Sequence, residues 1–241
     1  MPNPRLVTNE EGLASTLIKF GTKPGPVEVR ATTAELSATF VLTLEQIGPQ
    51  VESILNGASF VVGDSIAACS IAVIRGTGFT TDLEGILSST PDENGSLPYT
   101  LSDVSVTVND VKAPIFYLSN IEGVEQIGIQ VPCELKPGTA TVKVTTQEVS
   151  ASKESRLASA APGIFETYFI PNQRQGVVVK AADKSYVSPE NPAVAGETLI
   201  GYFTGLTPTG NQTTNKVGEG QSIDISKVVI GLNFSGMPVL S

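Results

Sequence analysis

Histidine and tryptophan are both missing from the 241 residues. Without histidine the chain has neither the commonest general base nor the commonest zinc ligand, which argues against hydrolase triads and metal catalysis. Only two cysteines are present, Cys69 and Cys133. They are too few for a disulfide scaffold and lack metal-ligand spacing, although export would allow them to form one bridge. Charge is scarce as well: 16% of residues are charged and the net is −9. No Lys/Arg cluster supplies the footprint that nucleic acid or an anionic membrane requires. No apolar run approaches the length of a membrane span. No basic-then-apolar leader precedes the first expected strand, so Met1 is expected to mark an internal start rather than the natural one.

What remains is a chain that is 40% hydrophobic, with 23 Gly and 16 Pro punctuating short Val/Ile/Thr-rich runs. That profile predicts an all-β protein with enough β-branched residues to bury a core. One segment recurs. Ala68-Cys-Ser-Ile-Ala-Val-Ile-Arg-Gly-Thr-Gly-Phe79 reappears as Ala195-Gly-Glu-Thr-Leu-Ile-Gly-Tyr-Phe-Thr-Gly-Leu206, and Val106–Phe116 answers to Ile230–Leu240. A repeat of that length is a domain, not a solenoid unit. The second copy lacks counterparts of the stretches 126–132 and 138–144.

Three strands are expected at 13–20, 27–31 and 36–44, with a single apolar face, followed by a linker at 47–50. A few helical turns are the alternative around 45–55. Residues 51–157 hold enough strands for one closed two-sheet sandwich, near 58–62, 70–76, 103–109, 113–119, 124–131 and 139–147. Period-two alternation places Ile71, Val73, Val106, Val108, Ile115, Ile127, Ile129, Val142 and Val144 inside. Residues 82–98 read as a surface loop, and 207–221 hold the equivalent place in the second copy. There, strands are expected near 175–180, 197–204 and 223–233.

Asn56-Gly-Ala-Ser-Phe60, Gly76-Thr-Gly-Phe79, Val104-Ser-Val-Thr-Val-Asn109, Ala113-Pro-Ile-Phe-Tyr117, Ile129-Gln-Val-Pro132, Pro137-Gly-Thr-Ala-Thr-Val142 and Ala161-Pro-Gly-Ile-Phe165 occur in order. Over residues 51–241 this pattern resembles a repeat found near the C-termini of large secreted bacterial proteins, itself similar to IPT/TIG-type immunoglobulin-like domains. Glu11-Gly-Leu-Ala-Ser-Thr-Leu-Ile-Lys-Phe-Gly21 with Gly25-Pro-Val-Glu-Val29 resembles the end of an invasin-type bacterial Ig-like domain. The resemblance implies tandem immunoglobulin-like β-sandwich modules of which the first (1–46) and last (158–241) are incomplete and the middle one (51–157) is whole. It implies an extracellular setting and carries no catalytic residues. By analogy with such sandwiches, Cys69 and Cys133 are expected at opposite ends of the domain. That excludes an intramolecular bond and leaves either a bond between chains or two free buried thiols.

Other candidates have simpler readings. Gly76-Thr-Gly78 and Thr204-Gly205 lack the strand, Lys and helix of a phosphate loop and read as strand-end turns needing positive φ. Asp82, Glu84, Asp103 and Asp110 lack the clustering of a Ca²⁺ site. Asn211-Gln-Thr213 is a glycosylation sequon, expected to be idle in a bacterial chain. Lys143 would serve an isopeptide bond only if buried, and its strand position puts it on the wet face. Phe60, Phe79, Phe116, Tyr117, Phe165, Phe203 and Phe234 are expected to pack in cores.

These observations predict a non-enzymatic structural module of a secreted or cell-surface protein, without cofactor or metal, acting as spacer, stalk or filament subunit. Its expected partners are neighbouring Ig-like modules or copies of itself, the strands of 13–44 completing the last module of the next chain. The alternative is an adhesive or carbohydrate-binding module using loops 82–98 and 207–221.

Overall fold

The computed structural model describes residues 5–18, 24–44, 48–61, 63, 65–80, 82–147, 149–170, 173–206, 213–215, 230–232 and 235–237. The fold is all-β, with no helix among those residues. Two compact units divide the chain, Met1–Ile47 and Gly48–Ser241.

The first unit contains one antiparallel hairpin, β1 (Gly25–Thr32) and β2 (Ser37–Leu44), with Gly25 opposite Leu44 and Thr32 opposite Ser37. Its Val/Thr-rich strands suit a pleated ladder. Thr33 N–H donates to Leu36 O (2.7 Å) and Leu36 N–H to Thr33 Oγ1 (3.2 Å), closing the connection. The third strand expected at 13–20 is absent over the described residues 13–18, where Leu13 and Leu17 lie exposed. Apolar alternation there finds neither a ladder partner nor an apolar surface, so it dictates nothing.

In the second unit, β3 (Gln50–Asn56), β5 (Ile71–Thr77), β6 (Gly85–Ser88), β10 (Ile115–Ile121) and β11 (Val124–Gln130) form one sheet in the order β3-β5-β11-β10-β6. The other sheet runs β4-β13-β12-β8-β7, with β9 also on β8. Its strands are β4 (Ile66–Ala67), β7 (Thr100–Leu101), β8 (Val104–Val108), β9 (Val111–Ala113), β12 (Gly138–Thr146) and β13 (Val149–Ala158). Two-residue turns with both φ positive join three hairpins: Ser102 and Asp103 (47° and 62°), Asn109 and Asp110 (48° and 63°), Glu122 and Gly123 (53° and 81°). Such turns match the twist of the strands they connect and favour Asn, Asp and Gly. Ala113 ends one sheet, Pro114 follows, and Ile115 begins the other.

The two inner faces enclose one core. Ile74, Ile127, Ile129, Ile115 and Leu118 face it from the five-stranded sheet, and Val104, Val106, Val108, Val142, Val144 and Leu157 from the other. Phe79 closes it from the bend after β5, which the Glu125 carboxylate fixes by accepting the N–H groups of Phe79 (2.6 Å) and Thr80 (3.2 Å). Gly76 is required here, because a Cβ would lie 1.8 Å from Gln50 O and 2.5 Å from the Phe79 ring.

Of the residues expected inside, Val106, Val108, Ile115, Ile127, Ile129, Val142 and Val144 are in the core, but the face of β5 is inverted. Ala72 and Ile74 point inward. Val73 is buried outside that cluster, and Ile71 is only half-buried. Ile71-Ala-Val-Ile74 is apolar in both phases, so alternation cannot choose. The choice comes from register, which sets Ala72 opposite Ile129 and Ile74 opposite Ile127. On the outer face Leu55, Val73, Gly128 and Tyr117 are laterally paired, and an added Cβ on Gly128 would meet the Tyr117 ring at 2.3 Å. Burial there pushes the Tyr117 phenol up, and the Arg75 charge partly opposes it.

Other expectations shift. Residues 57–59 are a turn, and the strand precedes them as β3, in place of the linker or helical turns expected there. The loop at 82–98 contains β6, and β13 is an additional strand. Beyond the sandwich come β14 (Gly163–Ile164), β15 (Glu166–Ile170), β16 (Gln173–Gly176), β17 (Val178–Lys180), β18 (Leu199–Gly201), β19 (Phe203–Thr204), β20 (Ile230–Leu232) and β21 (Ser235–Met237). They pair as β14-β19, β15-β16, β17-β18 and β20-β21. Most of the strand expected at 223–233 lies outside the described residues, as do Asn211 and Phe234.

Replacing Gly76 with Ala should lower the unfolding free energy by about 1–3 kcal/mol, the usual cost of overpacking. Urea denaturation of the full chain reads this directly, and an unchanged midpoint would contradict the close approach of β3.

Candidate interdomain junction

Cys69 and Cys133 are joined within one chain, with Cα atoms 4.3 Å apart. The expectation of opposite ends, and hence of an interchain bond or free thiols, is corrected. β5 and β11 are antiparallel neighbours in one sheet, so the start of one adjoins the end of the other. Cys69 sits at φ +62° in the turn before β5, its N–H donating to Val131 O (3.0 Å), while Val131 N–H donates to Ser70 O (2.8 Å). The bridge therefore extends an existing ladder by one covalent rung.

At this same end the sandwich meets the following module. Asn56 closes β3 and is 2% exposed. Its Oδ1 accepts from the N–H groups of Ala58 (2.9 Å) and Ser59 (3.3 Å), and its Nδ2 donates to Ala161 O (2.7 Å). One carboxamide thus shapes its own turn and holds the crossover into the next module. Gly163 lies so near that a Cβ would come within 2.4 Å of Asn56 Oδ1. Ile71 N–H, at the start of β5, donates to the buried Thr204 Oγ1 (2.8 Å). Arg174 reaches Ser59 O (2.8 Å) while paired with Glu166 (2.6 Å).

A second set of bonds lies beside the disulfide. Cys133 N–H donates to Thr214 Oγ1 (2.8 Å), and Thr214 N–H donates to Glu134 Oε1 (3.0 Å). The Thr214 hydroxyl also donates to Glu134 Oε2. Asn215, at φ +64°, donates its N–H to Gln130 Oε1 (2.8 Å) and exchanges two bonds with Leu97: Leu97 N–H to Oδ1 (2.6 Å) and Nδ2 to Leu97 O (2.7 Å). Partial burial raises the Glu134 carboxyl, but the bonds from Thr214 and from nearby backbone outweigh it and leave the carboxyl below its ordinary value.

The corner that docks is itself repeated. Gly163 pairs with Thr204 and Ile164 with Phe203, as Gln50 pairs with Thr77 and Val51 with Gly76. Gly78 (φ +72°) and Gly205 (φ +75°) end the two corners. A Cβ on Gly205 would meet Ala161 O at 1.8 Å, and one on Gly78 would meet Gly48 O at 3.0 Å. Only glycine fits so close an approach at positive φ.

The remaining candidates do not converge. Asp82, Asp103 and Asp110 occupy positive-φ turn positions, and the described residues include no group of three or more His, Cys, Asp or Glu able to hold a metal. Lys143 pairs with Asp110 at 3.5 Å, with side chains 43% and 92% exposed. Among the aromatic candidates with described side chains only Phe79 is fully buried; Phe60 instead lies under the Arg75 guanidinium at 5.8 Å. An open trough of about 880 Å³ runs past Pro137, Thr139, Glu154 and Arg156, without a nucleophile–base pair in its lining. The two loops considered for ligand binding touch each other through Leu97 and Asn215; residues 207–212 and 216–221 lie outside the described residues. No composition signal marked Asn56, Thr204, Thr214 or Asn215. An overlay of the repeat on the strand-end glycines would have pointed to Thr204.

No protein-family model matches the sequence, and no curated protein matches it. Solved structures with a distant likeness include domains 4 and 5 of the S-layer protein SbsC, at 14% identity and TM-score 0.20, covering 64% of this chain and 65% of that one. The S-layer protein rSbsC(31-844) gives 14% identity and TM-score 0.24, covering 91% and 32%. Domains 4-9 of SbsC give 13% and 0.22, covering 97% and 36%. This chain spans less than two thirds of each of them, and at these TM-scores the likeness carries no argument about function.

Proposed function

We propose that the chain is a non-enzymatic structural segment of a secreted or cell-surface bacterial protein, a spacer in which Ig-like sandwiches are clamped end to end. The carrying observation is Asn56, whose buried carboxamide ties the end of one sandwich to the crossover of the next. A free tether needs no such residue; a stiff joint does, because each added bond removes an orientation the modules could otherwise sample. The Cys69–Cys133 bridge supports an oxidising, extracytoplasmic setting. The adhesive alternative loses support at residue 97 of its first loop, where the polar groups are engaged in the joint.

Asn56→Asp preserves the acceptor that shapes the turn at 57–59 but replaces the donor to Ala161 O with a carboxylate oxygen. The sandwich should stay folded while the joint opens. Residual dipolar couplings should fit one alignment tensor for the two modules in the parent chain and two tensors in the variant. A single tensor in both would refute the clamp. A polysaccharide array should show no retention of the parent chain; retention lost on substituting residues 82–96 would favour the adhesive reading.

Because folding depresses the Glu134 pKa, the stability it contributes is present above the unfolded pKa and lost as pH falls through the folded one. Amide exchange at Thr214 and Asn215 should therefore speed up on acidification into the carboxylate range, after correction for intrinsic rates. Glu134→Gln should flatten that dependence.

A further inference from the structure

We propose that the Cys69–Cys133 disulfide is a redox-sensitive latch on the joint, holding the segment around Thr214 and Asn215 against the sandwich. The inference rests on the joint described above and adds a condition under which half of it opens.

The argument turns on what the bridge holds that nothing else does. On the Cys69 side, the turn is secured by Cys69 N–H to Val131 O, Ser70 N–H to Ala67 O (3.1 Å) and the Ser70 hydroxyl to Ala67 O (2.7 Å). Up to Val131, the end of β11 is secured by its ladder to β5 and by Val131 N–H to Ser70 O. Past Val131 the ladder stops. Cys133 and Glu134 form a turn outside any strand, and that turn offers the Cys133 N–H and the Glu134 carboxylate to Thr214. The covalent rung ties this turn to the ladder. With it in place, Thr214 meets donor and acceptor already positioned, which lowers the entropy cost of docking. Cut, the turn regains its freedom, while β5 and β11 keep every ladder bond.

Both cysteines are half-buried, which leaves the bridge within reach of a reductant. The co-reactant is a dithiol. Its thiolate attacks one cysteine sulfur to give a mixed disulfide, and its second thiol displaces the other end. The dithiol leaves as a disulfide, oxidised by two electrons, and its two protons end on Cys69 and Cys133 as thiols. The Asn56 and Thr204 contacts lie on other strands and are untouched, so reduction loosens one half of the joint and spares the other.

The test compares three forms of the full chain by ¹⁵N NMR: oxidised, reduced with dithiothreitol, and Cys69→Ser/Cys133→Ser. In the reduced and serine forms, the Thr214 and Asn215 amides should leave their oxidised chemical shifts and show lower order parameters. The amides of β5 and β11 should hold theirs. Thr214→Val in the oxidised chain should reproduce the change at Asn215 with the bridge intact. Unchanged Thr214 and Asn215 signals on reduction would overturn the latch, as would equal loss of order throughout β5 and β11, since the bridge would then staple the whole sandwich. Asn56→Asp keeps the arms separate. Two alignment tensors in the oxidised parent would sink the clamp itself, whereas a failed latch leaves one tensor and an ordered Thr214 in the reduced chain.

Discussion

The antiparallel register between β5 and β11 is the constraint from which the rest of the second unit follows. Setting Ile74 opposite Ile127 and Ala72 opposite Ile129 selects which face of β5 is inside. It also brings the start of one strand beside the end of the other, which makes the Cys69–Cys133 bond geometrically available. The Ile71 N–H is then left at the rim of the sheet, where Thr204 takes it up. A one-residue slip would turn Ile74 and Ile127 outward and remove the core, the bridge and the docking donor together.

The joint is polar where the core is apolar, and the two divide the work. Burial of Ile, Val and Leu gives each sandwich its stability without preferring any direction between modules. Hydrogen bonds from Asn56, Thr204, Thr214 and Asn215 have short reach and fixed angles, so they supply direction. Leaving any buried member unpaired costs about 1–3 kcal/mol, more than the bond itself contributes when made. Such a joint resists partial opening at each bond separately.

Much of the sandwich was legible because Val104-Ser-Val-Thr-Val108 and the Val/Thr alternation of β12 admit one phase only. β5 was not, since both of its phases are apolar. β13 escaped notice because only Leu157 of its ten residues is buried, leaving no alternation to read. The two-residue turns were foreshadowed by Asn, Asp and Gly, yet the same acids invited a Ca²⁺ reading that the turns make unnecessary. The cysteines were placed wrongly because an analogy put β5 and β11 in different sheets. The joint was nearly silent: its residues are single polar side chains, made neighbours by the return of the chain across more than a hundred positions.

Asn56 is followed by Gly57, the sequence pair in which a side-chain amide is most readily attacked by the next backbone nitrogen and lost as ammonia. That attack needs a free Gly57 nitrogen and a carboxamide able to rotate toward it. Here Gly57 N–H is held by Ile71 O at 2.9 Å, and the carboxamide is held at both ends. The docked module thus shields the residue that docks it. A chain left undocked ages toward aspartate at this position and, once converted, has lost the donor with which to close.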